Sequence, residues 1–207
     1  MTTMDNMVGR EGDWSQTFTG RQFWPIDPRP EEVCVEDIAH ALALQCRFAG
    51  HCRVPYSVAE HSVRVSLMVE RLVDDGCRGE RLRCTVLAAL LHDASEAYCV
   101  DVPRPLKPYL RGYKDIESGV MRAIEAWAGL PAGACDGPMV KRADAVLLMA
   151  EARDIMSAPP SPWTFAQGAE AQPLVETIVP WDWRRAEAEF LARFALFAGP
   201  EMNRSAK

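Results

Sequence analysis

Apolar residues recur every three or four positions in six stretches of the chain, the period of an α-helix with one buried face. Glu32 to Arg47 carries Val35, Ile38, Ala39, Leu42 and Cys46 at that spacing. Ser57 to Val73 carries Val58, His61, Val65, Met68 and Leu72. This second stretch opens on Ser57-x-x-Glu60, a capping box that satisfies orphan amides at a helix start. It closes at Asp74-Asp75-Gly76. Arg81 to Ala97 is a third helix, with Leu82, Val86, Ala89, Leu90 and Asp93 along one face. Tyr113 to Ala128 is a fourth, with Ile116, Val120, Ile124 and Trp127, and Gly129-Leu130-Pro131 stops it. Pro138 to Met156 is a fifth, with Val140, Asp144, Leu147, Glu151 and Ile155 on its inner stripe. The last spans 182–198, with Asp182 as N-cap and Trp183, Phe190, Phe194 and Phe197 facing inward. Six amphipathic helices with little strand predict an all-α bundle whose site lies between facing helices.

The remaining segments are polar or rich in proline. Residues 1–16 read as mobile. Thr17 to Pro30 combines Phe18, Phe23 and Trp24 with three prolines, which suits an irregular arm packed on the body. A short β-hairpin is the alternative there, and the prolines count against it. The expected organisation is an N-terminal arm over 1–30 and one helical domain over 31–207. A Pro-rich connection over 157–180 would be a surface flap within that domain.

Several inner stripes carry groups that do not belong in an apolar core. His61 lies on the second helix, and His92 and Asp93 stand side by side near the end of the third. Asp144 lies on the fifth. Buried polar groups destabilise unless something pairs with them. A divalent metal pairs with all four, because neutral imidazole and carboxylate are both good ligands. Taken singly, each has a plainer reading: a satisfied core histidine, a cap, an ion pair. Taken together they suit Mn²⁺, Co²⁺, Fe²⁺, Zn²⁺ or Mg²⁺. Glu96 follows His92 by four residues and Asp93 by three, so it projects toward the same surface.

Charge and cysteine usage narrow the partners. A net charge of −6 over 207 residues argues against a nucleic-acid polymer, whose phosphates need a basic surface. A single nucleotide needs only local cations, and Arg47, His51 and Arg53 gather in one Gly- and Pro-containing loop. Asp101, Arg104 and Lys107 gather in another. Seven scattered cysteines without a CxxC pair, behind a polar start lacking an apolar leader, read as reduced thiols in a cytoplasmic protein. The longest fully apolar run, Val86 to Leu91, is too short to span a bilayer.

Four stretches in order carry a resemblance. They are Ser57-Val58-Ala59-Glu60-His61-Ser62, His92-Asp93-Ala94-Ser95-Glu96, Asp101-Val102-Pro103-Arg104-Pro105-Leu106-Lys107 and Val140-Lys141-Arg142-Ala143-Asp144-Ala145. Together they resemble the HD-domain metal-dependent phosphohydrolases, and more nearly the bacterial 5′-deoxynucleotidases and phage dATP triphosphohydrolases. The resemblance runs from about Arg47 to Asp154. It implies an HD-type helical bundle and a divalent metal held by His61, His92, Asp93 and Asp144. It puts Glu96 and Asp101 in catalytic places beside the attacked phosphorus. Arg47-Phe48 falls where the deoxynucleotidases carry an Arg-Trp pair that holds phosphate and crowds the sugar. Phe48 keeps an aromatic wall there, which implies deoxynucleotide substrates. His51, Arg53 and Lys107 are further phosphate candidates. Helical HD proteins of this kind often form homodimers or higher homo-oligomers.

Plainer readings stay open beside these. Glu96 also fits an exposed helix-end carboxylate, Asp101 a turn residue and Lys141 a solvated surface lysine. Asp37 and His40 fit a helix cap and a partly buried histidine, or supports for Arg47 and a base pocket. Two further functional readings are open: an HD-fold nucleotide-binding or regulatory protein with little catalysis, and a phosphodiesterase. The single HD motif, with no additional histidine set, argues against the latter.

Overall fold

The computed structural model describes residues 9–73, 78–161, 163 and 176–199. Among them a short antiparallel hairpin, β1 (Ser15–Gln16) with β2 (Gln22–Phe23), precedes seven α-helices. These are α1 (Val35–Leu44), α2 (Val58–Leu72), α3 (Glu80–Leu90), α4 (Glu96–Cys99), α5 (Tyr113–Trp127), α6 (Pro138–Ile155) and α7 (Trp183–Phe197). The architecture is an all-α bundle with an irregular N-terminal region. No described helix is long and apolar enough to cross a membrane.

Helix α2 is the one around which the bundle is built, since it packs on α1, α3, α6 and α7. That position accounts for a helix whose buried residues are only partly apolar. Glu60, His61, Ser62 and Ser66 are as buried as Val58, Val65 and Val69. Buried polar groups need partners, and the neighbouring helices supply most of them. Ser66 Oγ donates to the Val86 carbonyl at 3.3 Å and accepts from Arg193 Nε at 2.8 Å. Glu60 accepts from Arg64 at 2.7 Å and from the Trp181 N–H at 2.8 Å. The expected capping box is half formed. Ser57 Oγ accepts from the Glu60 N–H at 3.1 Å, whereas the Glu60 carboxylate is drawn to Arg64 and the α7 approach. Asp182 caps α7 as expected, accepting from the Arg184 and Arg185 N–H groups.

Three sequence expectations need correcting. The predicted helix over Arg81 to Ala97 is two helices, because the chain leaves α-helical bonding after Leu90. The Ala94 N–H reaches back only to the Leu91 carbonyl, and the Glu96 N–H only to Asp93. The apolar pattern hides the break, since Leu91 and Ala94 are fully buried and continue the stripe. The region before Thr17 is anchored from Arg10 onward rather than mobile, while residues 1–8 lie outside the described residues. The Arg10 guanidinium bridges Asp27 at 2.7 Å and Glu32 at 2.5 Å, and lies 4.1 Å from the Trp24 ring. The hairpin forms despite the prolines because its paired residues, 15–16 and 22–23, lie before Pro25. Thr19 at its turn is fastened to α1, donating from its N–H and Oγ1 to the Asp37 carboxylate.

The stop signal at Asp74-Asp75-Gly76 and Cys77 lie outside the described residues. So does the flap reading where it falls on 162 and 164–175. Ile178 is buried and its N–H donates to Asp154 Oδ2 at 2.8 Å.

Candidate metal centre

The break between α3 and α4 brings the site together. In a continuous α-helix, His92 and Asp93 would point about 100° apart. The tightened turn at Leu91–Ser95 lets both reach the His61 ring, one turn inside α2. This corrects the expectation that all four ligand candidates sit on helix stripes: two of them come from the turn. His61 Nε2 stands 3.3 Å from His92 Nε2, 3.6 Å from Asp93 Oδ2 and 3.2 Å from Asp144 Oδ1 of α6. His92 Nε2 is 3.2 Å from Asp93 Oδ2.

The tautomers follow from the second ring nitrogens. His92 Nδ1 faces the Ala89 carbonyl at 2.9 Å, an acceptor, so Nδ1 carries the proton. His61 Nδ1 faces the Glu151 carboxylate at 2.5 Å, so it too carries a proton. With both Nε2 atoms free of protons, two nitrogen lone pairs and two carboxylates would aim at one point and repel one another unless a cation lay there; without a metal, a proton on His61 Nε2 facing Asp144 takes that place. The spacing fits such a cation. Ligand bonds of about 2.1 Å place neighbouring donor atoms about 3.0–3.4 Å apart in octahedral or tetrahedral geometry. His61, His92 and Asp93 thus form a cluster able to chelate a divalent metal, and Asp144 stands against it.

Electrostatics agree. Burial and the Arg47 charge lower the His61 imidazole, but Glu151 and Asp144 outweigh them and hold it at about 9, so this point favours positive charge. Burial would raise the Asp93 carboxyl; His92, His61 and Arg47 overcome it and hold it well below the usual range. Asp144, also opposed by burial, is held at about 2 chiefly by His61.

Two cavities meet at the cluster. The larger, about 620 Å³, runs past Asp93, Asp144, Glu96 and Asp101 to Arg47, Phe48 and His51. The smaller, about 330 Å³, lies toward α5 and the start of α6, and is shared with Glu96, Arg104 and Lys107. Arg47 is nearly enclosed and charged on both sides. Its Nη1 is 3.3 Å from Asp93 Oδ2, and its Nη2 is 3.2 Å from Glu151 Oε2. Glu96 is buried, with Oε1 3.6 Å from Lys107 Nζ and Oε2 without a hydrogen-bond partner. Burial raises its carboxyl well above the usual range, and Asp93 and Asp101 add to that against Lys107 and Arg47. Asp101 is raised as well, first by burial. Lys107 lies between Glu96 and Glu117, 2.7 Å from the latter.

Other candidates fall outside the larger cavity. Arg53 is exposed and donates to the Asp154 carbonyl at 2.5 Å, away from the residues lining it. Lys141 borders the smaller cavity and pairs with Asp136 at 2.7 Å. His40 stacks on Phe18 at 3.7 Å and faces Glu187 at 3.3 Å, so with Asp37 it fastens the hairpin.

Sequence reasoning missed two supporting residues. Glu151 is fully buried and binds three site groups at once: His61, Arg47 and the Tyr56 hydroxyl at 2.9 Å. Its signal was its place on the α6 stripe, two turns after Asp144. Gln45 donates to the Glu96 carbonyl at 3.0 Å and accepts from the Asp101 N–H at 3.1 Å, clamping both sides of the α4 exit. Between them Val100 has φ +67°, a strained backbone for a β-branched residue. The Tyr113 hydroxyl donates to its carbonyl at 2.9 Å.

No protein-family model matches the chain. Two relatives do. One is the uncharacterized protein YfdR of Escherichia coli (strain K12), 35% identical over 179 residues that cover 86% of this chain and 92% of that protein. The other is the uncharacterized protein RCAP_rcc00048 of Rhodobacter capsulatus, 38% identical over 148 residues, 69% of this chain and 72% of that protein. At that identity and coverage, the chain belongs to the family that contains YfdR and RCAP_rcc00048.

Proposed function

We propose that the protein is an HD-type, metal-dependent phosphohydrolase acting on nucleotides, purine deoxynucleotides foremost. It would release phosphate as a 5′-nucleotidase or triphosphate as a dNTP triphosphohydrolase. The observation that carries this reading is the candidate metal cluster beside a cavity lined by carboxylates, cations and aromatic rings together.

His61, His92, Asp93 and Asp144 would hold the metal, with Glu151 and the Ala89 carbonyl fixing the two imidazoles. A divalent ion there polarises a phosphoryl oxygen and lowers the pKa of water. Arg47, already preorganised by Asp93 and Glu151, offers charge-assisted hydrogen bonds to phosphoryl oxygens as charge builds on them. Glu96, whose carboxyl burial raises well above its usual range, hands its proton to the leaving ester oxygen. Asp101, the less buried of the two, takes the proton of the attacking water. Phe48 borders the sugar and the base, and His51 and Lys107 meet the outer phosphates.

The test is a product assay. Chelator-stripped protein is reloaded with Mn²⁺, Co²⁺, Zn²⁺, Fe²⁺ or Mg²⁺ and given dNMPs, NMPs, dNTPs and NTPs. Phosphate from dNMPs makes it a 5′-nucleotidase; nucleoside plus triphosphate makes it a triphosphohydrolase. Nucleotide binding without turnover under every metal leaves a nucleotide-binding regulatory protein instead.

Glu96→Gln keeps the shape and removes the proton, so turnover falls about 10²- to 10⁴-fold. Stability moves the other way. The folded carboxyl ionises well above its unfolded value, so above about pH 4.5 the folded state binds the extra proton. Stability therefore drains away as pH rises from there, and glutamine removes that loss. Urea melts in chelator should show Glu96→Gln more stable than wild type at pH 8, with the gap closing near pH 4.5. A gap that does not change with pH would refute the protonated Glu96.

A further inference from the structure

The larger cavity is lined by apolar as well as charged groups, the apolar ones including Phe48, Leu148, Met156 and Trp163. Phe48 follows Arg47 in a turn, Leu148 lies on α6, Met156 just after it, and Trp163 on the connection toward α7. The Phe48 and Trp163 ring centroids are 6.5 Å apart, with the planes tilted by 36°. Two other ring pairs are closed, Phe18 on His40 and Phe23 on Tyr98, which stack at 3.7 Å with planes 13° and 15° apart, whereas Trp14 and Trp24 also stand 6.5 Å apart. At 6.5 Å the Phe48 and Trp163 rings are within ordinary aromatic contact, and both line the cavity. Bases on a nucleic-acid strand repeat every ~3.4 Å, so a flat ring between two others needs about 7 Å. A small outward movement of one wall, with loss of the tilt, makes that room.

Phe48 is the fixed wall. Phe48 and Ala49 both have left-handed backbone, φ +56° and +51°, a conformation side-chain-bearing residues rarely adopt. The Arg47 guanidinium carbon sits 5.3 Å from the Phe48 ring centroid, a cation–π contact that ties this wall to the metal centre. Leu148 and Met156 bring apolar surface to the same cavity. Such a slot favours stacking area, which every heterocyclic base offers and bicyclic bases offer most.

We infer that Phe48 and Trp163 form an aromatic slot for the flat heterocycle of the substrate. Trp163 is the specificity-determining wall that favours base-bearing over base-free phosphate esters. This inference rests on the nucleotide reading above and adds a residue to which sequence reasoning gave no role.

Steady-state kinetics with the metal-loaded protein test it, using Trp163→Ala and Trp163→Phe. The substrates are the four common dNMPs and deoxyribose 5-phosphate, which keeps the sugar and phosphate but has no ring. Stacking contributions of the usual size predict an about tenfold rise in KM for the dNMPs in Trp163→Ala, larger for purines. The base-free ester should show no such rise, and Trp163→Phe should restore most of the loss. An equal change for all five substrates would mean that Trp163 only supports the fold, and would overturn the slot. Deoxyadenosine titrated calorimetrically into metal-stripped protein separates this from the parent reading. If wild type hydrolyses neither these monoesters nor any dNTP, the phosphohydrolase assignment fails, yet deoxyadenosine binding lost in Trp163→Ala and kept in Trp163→Phe still supports the slot. No deoxyadenosine binding by wild type overturns the slot even where hydrolysis is found.

Discussion

Asp93→Ala is expected to strip the cluster of metal and, on the proposed function, the protein of its turnover. The carboxylate is the ligand candidate that ties the centre together, with His92 Nε2 at 3.2 Å, His61 Nε2 at 3.6 Å and Arg47 Nη1 at 3.3 Å. Without it the metal keeps two neutral imidazoles and Asp144, while the Arg47 cation loses one of its two counter-charges. Metal affinity should fall by at least the about 10- to 100-fold seen when only the groups around a ligand are changed. A Lewis acid supplies several kcal/mol to phosphoryl transfer, and each 1.36 kcal/mol is a factor of ten. A loss of about 10³-fold or more in kcat/KM is therefore expected under any of the metals. The variant should still fold, because Asp93 is partly exposed and Arg47 keeps Glu151 at 3.2 Å. Asp93→Asn, which preserves shape, should lose as much. Metal content by mass spectrometry, a Mn²⁺ titration and the product assay are the readouts, with circular dichroism as control. A metal-free variant that turns over at the wild-type rate would remove the metal from the mechanism.

The helices were legible because their buried stripes are long and regular. Val58, Val65 and Met68 of α2 and Phe190 and Phe194 of α7 sit in the core where a 3.6-residue period places them. The convergence of His61, His92, Asp93 and Asp144 was legible for a related reason. Unpartnered polar groups do not persist on apolar stripes, so their presence implied a shared partner. What could not be read is where the period misleads. Leu91 and Ala94 continue an apolar stripe through a point at which the backbone has already left the helix. Hydrophobicity records which residues are buried, and it is silent on how the chain turns between them. Arg10 shows the same limit from the other side. It stands in a polar stretch with no periodicity, yet it is buried by partners 17 and 22 residues away. Arg53 sits in the same basic loop as Arg47, but one guanidinium enters the cavity and the other caps the end of α6. Adjacency in sequence cannot separate these, because the left-handed turn at Phe48 and Ala49 redirects the chain between them.

Glu151 carries the second large expectation, since it was the stripe carboxylate without an assigned role. Its side chain is fully buried and meets three donors from separate parts of the fold: His61 Nδ1 at 2.5 Å, the Tyr56 hydroxyl at 2.9 Å and Arg47 Nη2 at 3.2 Å. Glu151→Ala leaves the nearly enclosed Arg47 charge with Asp93 alone and two buried donors, His61 Nδ1–H and the Tyr56 hydroxyl, with nothing to donate to. Breaking a buried ion pair from one side costs about 3–5 kcal/mol, a large part of the roughly 5–15 kcal/mol that holds a domain together. If the alanine variant fails to fold, Glu151→Gln still gives an answer. Its amide oxygen can keep one of the three donors, but its NH₂ group faces another donor. A smaller loss of stability is expected, with a metal affinity about 10- to 100-fold lower as His61 loses its fixed tautomer. The pH dependence has a definite sign. Burial would raise the Glu151 carboxyl, but Arg47 and His61 overcome it and hold it below its ordinary value. Its stabilisation is therefore present above the unfolded pKa near 4.5 and is lost as pH falls through the lower folded value. Urea melts should show wild type far above Glu151→Gln at pH 7, with the two converging in acid below pH 4. Equal stability at pH 7 together with unchanged Mn²⁺ affinity would mean that the carboxylate holds neither the arginine nor the histidine in place. The metal centre would then depend on its ligands alone.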